Sequence, residues 1–188
     1  MTVWKGLNPP YATIVADPPW RYDEGFATAP GGRRPFVEAL PYSGMDLDEI
    51  RALPVDELAA RDCWLFLWTT NAYLPDSFGV AEAWGFRYAQ MLVWHKTGNP
   101  SPFGGSVAPN HAEFLLVAKR RSPAVVKRLP GSVITANKDA SGKTHSRKPP
   151  AVFDAIETCT PGPYVELFAR QPRLGWDHWG HGYEGQVA

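Results

Sequence analysis

The run Asp17-Pro18-Pro19-Trp20 carries the most chemistry in the fewest residues. Ahead of it, Thr13-Ile14-Val15-Ala16 is a short apolar, β-prone stretch, and neither proline can donate to a β ladder, so the strand must stop at Asp17. Two locked φ angles leave the Asp17 carboxylate, the carbonyls that follow and the Trp20 ring projecting together from a strand end, where α/β folds place ligands. The competing reading is a proline-stiffened turn whose tryptophan packs into the core.

Other patterns fail on their context. Gly180-His181-Gly182-Tyr183-Glu184-Gly185 matches G-x-G-x-x-G in letters, but the three residues after Gly185 are too few for the helix that would hold a pyrophosphate. Ser141-Gly142-Lys143-Thr144 resembles the tail of a phosphate loop, but Asn137 stands where the first glycine belongs and prolines follow closely. His178 and His181 have no nearby thiol or acid cluster, so no metal is expected there. No Ser/His/Asp arrangement stands out.

The elements that must position Asp17 alternate in type. After the first strand, the Gly- and Pro-rich segment 21–45 permits no regular element; a helix then starts at Asp46, which has capping-box spacing to Glu49. Cys63 to Thr70 reads as a strand buried on both faces, residues 75–84 as a helix ended by Gly85, and 87–96 as a strand. A second long loop, about 97–111, precedes the strand 112–120. A minor strand at 132–136, a proline-started helix over 149–159, a strand at 164–170 and a final short strand complete the chain. This order predicts one α/β domain over residues 1–188, with a mostly parallel sheet and helices on both faces. Loops at about 21–45, 97–111 and 119–148 are expected over the active site.

Composition bounds the partners. The apolar fraction of 44% is that of a globular protein, and no apolar run approaches the roughly 20 residues of a membrane span. The opening segment lacks the features of an export signal, and Cys63 and Cys159 read as reduced packing residues, so a cytoplasmic location is expected. Formal net charge is zero, yet the segment from Lys119 to Lys148 holds nine basic residues against one acid. That segment is either a solvated loop or a phosphate-facing surface.

Taken with "LPY", "LFLW", "VWHKT", "HSRKP" and "ELFAR" in that order, the D-P-P-W run closely resembles the DPPW-type adenine-N6 methyltransferase family, relatives of the S-adenosylmethionine-binding subunit of the messenger-RNA adenosine methyltransferase. The resemblance covers about residues 12–182. It implies a Rossmann-like class I methyltransferase fold in circularly permuted order, because the catalytic motif precedes the cofactor strand. Asp17 and Glu166 are then expected on neighbouring central strands. It also implies an enzyme that uses S-adenosylmethionine and no metal to methylate the exocyclic amine of adenine in nucleic acid, DNA ahead of RNA. The alternative is a silent nucleic-acid-binding paralogue, against which the intact Asp17 and Trp20 argue. Monomer and homodimer are both compatible with the sequence.

The resemblance assigns residues. Asp17 and the Pro18 carbonyl would accept the amine hydrogens, Pro19 would hold the turn, Trp20 would stack on the base, and Tyr42 would wall the same pocket. Asp17, Lys148, Glu166 and Arg170 would face the methyl donor, with Lys148 towards its carboxylate and Glu166 and Arg170 towards its ribose. His181 stands where the family commonly has asparagine. Arg120, Arg121, Lys127 and Arg128, from the basic segment, are expected to form the substrate track.

Overall fold

The computed structural model describes residues 3–21, 44–98, 107–137 and 148–180. Seven strands form one sheet in the order β5-β3-β4-β2-β1-β6-β7. In chain order they are β1 (Tyr11–Ala16), β2 (Ala59–Thr69), β3 (Arg87–Thr97), β4 (Ala112–Arg120), β5 (Val133–Asn137), β6 (Tyr164–Leu167) and β7 (Trp176–Trp179), with helices α1 (Leu47–Arg51), α2 (Leu74–Ala83) and α3 (Pro150–Cys159) between them. All neighbouring pairs are parallel except those made by β4, which runs antiparallel to both β2 and β3.

The sheet is covered on both faces, and side-chain alternation along the strands separates the two cores. Ile14, Leu65, Leu67, Leu116 and Val165 pack with Ile50 of α1 and Val80 of α2. Val15, Phe66, Trp68, Leu115 and Val117 point the other way and pack with Val152, Phe153 and Ile156 of α3. α1 starts as its sequence dictates: the Asp46 side chain accepts from the Glu49 backbone N–H, and Glu49 accepts from that of Asp46. The Trp84 indole N–H, donating to the Ile50 carbonyl at 2.9 Å, ties α2 to α1.

β2 begins four residues earlier than its apolar run, since Arg61 and Asp62 at its exposed start mask a strand that pairs with β1 from Ala59 onward. The minor strand is β5, which closes one sheet edge beside β3. Of the expected long loops, residues 22–43, 99–106 and 138–147 lie outside the described residues. Cys63 and Cys159 are free thiols. No helix among the described residues is long and apolar enough to cross a membrane.

Candidate active site

β1 leads towards β2 on one side, while β6 returns to β1 on the other, so the crevice at the carboxyl ends of β1 and β6 is a switch point of the sheet. Asp17 and Glu166 meet there. Glu166 is in register with Val15, and the Asp17 backbone N–H donates to the Leu167 carbonyl at 3.3 Å. Beyond β6 the chain turns sharply: Phe168 has φ 63°, and the Ala169 N–H donates to the Trp179 carbonyl at 3.0 Å. Gly180 is required by that close approach, because a Cβ there would lie 2.5 Å from the Ala169 carbonyl oxygen.

Alternation places a set of charged side chains on the α3 face. Asp17 shares the side of Val15, Glu113 that of Leu115, and Lys96 that of Trp94. Lys148 enters from the residue before the Pro149 cap of α3. Its ammonium lies 3.1 Å from Asp17 and 3.0 Å from Glu113, while the other Glu113 oxygen accepts from Lys96. Acid and base alternate through Asp17, Lys148, Glu113 and Lys96, and all four side chains are largely buried. Lys148 stands over the Trp68 ring at 5.0 Å and Lys96 over the Trp94 ring at 4.9 Å.

The electrostatics of the two glutamates diverge. Burial pushes the Glu113 carboxyl up, but the Lys148 and Lys96 ammoniums outweigh it and hold Glu113 down to about 2. Burial would lower Lys148, and its two carboxylate partners raise it above the usual lysine value. Glu166 is pushed up to about 8, first by burial and then by the Asp17 carboxylate, against the pull of Lys148, Arg173 and Arg170. The β1–β6 crevice therefore brings a buried carboxyl, Glu166, beside the Asp17 carboxylate, and a cationic ligand there would favour the ionised form of Glu166. Among the described residues Asp17 and Glu113 are the acceptors of Lys148, which has three N–H donors.

Trp20 departs from the expected projection. Its indole N–H donates to the Trp68 carbonyl at 3.1 Å, one ring face stacks on Tyr73 at 5.1 Å, and it is 5% exposed. Its backbone N–H donates to the Pro18 carbonyl at 2.8 Å, and the Pro19 carbonyl accepts from Met45 at the same distance. In this structure the tryptophan anchors the turn in the core. Among the described residues the Pro18 carbonyl accepts from Trp20 alone, and a carbonyl oxygen has two lone pairs.

The expected site residues thus fall into three groups. Asp17, Pro18, Lys148 and Glu166 converge, with Arg170 exposed just beyond β6 and near enough to act on Glu166. Tyr42 and His181 lie outside the described residues. Arg120, Arg121, Lys127 and Arg128 are not brought to Asp17, because β4 is the reversed strand. Glu113 stands at its site end, and Arg120, seven residues later, is about 24 Å away at the opposite end of the sheet. There the Arg120 guanidinium donates to the Asp56 carbonyl at 3.0 Å.

Sequence reasoning did not place Lys96, Glu113 or His178 near Asp17 and Glu166. The signal for the first two was a charged residue at the end of an apolar run within the strand, Glu113 before Phe-Leu-Leu-Val and Lys96 after Leu-Val-Trp-His. His178, read from the sequence as half of a poor metal pair, is buried on β7 in register with Glu166.

A family model described as MT-A70 matches residues 11–182. The chain is 34% identical over 189 residues to the type II methyltransferase M.MunI of a Mycoplasma species, which covers 90% of this chain and 76% of that protein. It is 30% identical over 167 residues to the N(6)-adenosine-methyltransferase MT-A70-like protein of Drosophila melanogaster, covering 85% of this chain and 24% of that one. To the human N(6)-adenine-specific methyltransferase METTL4 it is 25% identical over 187 residues, covering 91% and 37%. The chain thus spans three quarters of the bacterial relative and a smaller part of the two animal ones.

Proposed function

The chain belongs to the MT-A70 family, and from that premise we propose that it is a cytoplasmic single-domain enzyme transferring a methyl group from S-adenosylmethionine to the N6 amine of adenine in nucleic acid, DNA ahead of RNA. The observation that carries this reading is the Asp17 carboxylate, buried at the end of β1 beside two prolines and held by Lys148 at 3.1 Å. The preference for DNA is supported by the 34% identity to a type II methyltransferase across most of both chains.

The chemistry needs acceptors more than a strong base. The adenine amine donates its lone pair into the ring, and accepting both its hydrogens localises that pair on nitrogen. Asp17 and the Pro18 carbonyl are the acceptors, and Lys148 and the rigid Pro-Pro turn fix the carboxylate's position. As the nitrogen gains a bond and becomes cationic, the Asp17 carboxylate stabilises it and is placed to take its proton. Trp20 acts by holding this turn. When bound, S-adenosylmethionine supplies an electrophilic methyl group on a sulfonium. The Asp17 and Glu166 carboxyls of the β1–β6 crevice suit its cationic groups, and the Lys148 ammonium suits its carboxylate.

The test is transfer from labelled donor to separate DNA and RNA pools. Asp17→Ala should abolish transfer while leaving a folded protein, and Asp17→Asn, which still accepts one hydrogen bond, should retain part of it. Wild-type turnover in Asp17→Ala would overturn the mechanism, and exclusive methylation of RNA would overturn the DNA preference.

A further inference from the structure

On the α3 face, at the end of the sheet away from Asp17, lies a cavity of about 450 Å³. Trp64 and Phe66 of β2, Leu92 of β3 and Val117 of β4 line its floor, and Lys127 and Arg128 stand at its edge. The outer wall is the segment between β4 and β5. Two hydrogen bonds pin it: the Trp64 indole N–H donates to the Ala124 carbonyl at 2.8 Å, and the Val126 N–H donates to the Cys159 carbonyl at 2.9 Å. The cavity is therefore built into the fold. Lys127 and Arg128 are exposed, and neither is in an ion pair with any described acid.

Volume and lining together define the ligand. The space suits one small molecule, its floor offers aromatic and apolar surface, and its edge offers two cations, so the matching chemistry is a flat ring carrying an anion. A nucleotide has both parts. Along β4, Val117 is four residues from Glu113, about 14 Å and on the same face, which is the rise of about four stacked nucleotides.

We propose that this cavity holds a second nucleotide of the substrate strand, its base against Trp64 and Phe66 and its phosphate between Lys127 and Arg128, while the target adenine occupies the crevice at Asp17. This rests on the reading of the chain as an enzyme acting on nucleic acid. It also gives part of the basic segment a role, because two of its four expected track residues line the cavity and the other two do not.

The experiment uses fluorescently labelled single-stranded DNA with one adenine, extended one nucleotide at a time on either side, with binding and methyl transfer measured in parallel. Binding should tighten about tenfold when one flank reaches about four nucleotides, and an abasic residue at that position should abolish the gain. Lys127→Ala/Arg128→Ala should remove the gain and flatten the log–log salt slope by about 1.4. Val125→Trp, which fills the cavity from an exposed position, should remove the gain and leave the slope nearly unchanged. Neither variant should alter the affinity of the shortest oligonucleotide. No length step in the wild type, a step that survives both variants, or equal weakening of short and long strands would each overturn the inference. A length step without any methyl transfer would support the cavity and sink the catalytic reading; transfer without a step would do the reverse.

Discussion

The two ends of the sheet treat charge in opposite ways. At the end that carries Asp17, four charges alternate in sign, each within reach of its neighbour and largely buried between strands and α3. At the other end, Arg87, Lys119, Arg120 and Arg121 line an open hollow with Glu82 the one acid among its lining residues. The second end is denser in charge along the sequence, and the first is the one that buries its charges. Cations on a surface are solvated whatever their number. A buried ion must be paired or it shifts its protonation, and that constraint fixes geometry.

Glu113 is where this contrast breaks most visibly. Glu113→Gln keeps the shape and leaves two ammoniums, Lys96 and Lys148, facing each other without their shared carboxylate. Removing one partner of a buried ion pair costs about 3 to 5 kcal/mol, so urea unfolding should show a loss of that size. Acid should act on the same group. Its folded value is about 2 against an ordinary 4.5, so its contribution is complete above 4.5 and is lost as pH falls through 2. A loss below about 1 kcal/mol would place Glu113 among the solvated charges.

What the sequence revealed follows from the same physics. Strand alternation, the capping box at Asp46 and the Pro-Pro stop after Ala16 are local, and each is found in the structure where local rules put it. The neighbouring placement of Asp17 and Glu166 was legible only through motif order. The direction of β4 was not legible, since no residue in Ala112–Arg120 encodes whether the strand runs with its neighbours or against them. That one reversal moved Glu113 into the site and Arg120 out of it. The choice between the two readings of Trp20 was not legible for a related reason. Whether an aromatic after two prolines projects or packs depends on Tyr73 and the Trp68 carbonyl, both about fifty residues away in sequence.

A second, smaller break lies within the site end itself. Glu166 has an ordinary value of 4.5 and is held at about 8 in the fold, facing Asp17, Lys148, Arg170 and Arg173, with His178 beside it on β7. Between those values the folded protein keeps a proton that the unfolded chain has lost. Its stabilising effect is therefore complete below 4.5 and declines as pH rises through 8. Glu166→Gln cannot ionise, so relative to wild type it should gain on the order of 3 kcal/mol between pH 5 and pH 8, read by urea unfolding at each pH. Parallel stability curves would mean that Glu166 is not held protonated in the fold.

The smallest expected effect tests the far end alone. The sequence places Arg120 and Arg121 in the substrate track, but Arg120 lies about 24 Å from Glu113 along β4, Arg121 follows the strand, and neither lines the cavity. Arg120 already donates to the Asp56 carbonyl, and Arg121 occupies a turn at φ 56°. Exposed substitutions of this kind change stability by about 0.5 kcal/mol or less. Arg120→Ala/Arg121→Ala should therefore leave unfolding nearly unchanged, and it should flatten the salt dependence of binding by less than one phosphate's worth, about 0.7. Lys127→Ala/Arg128→Ala should exceed that value in the same titration. If Arg120 and Arg121 flatten the slope as much as Lys127 and Arg128, then charge density governs the far end and the cavity has no special part in holding the strand.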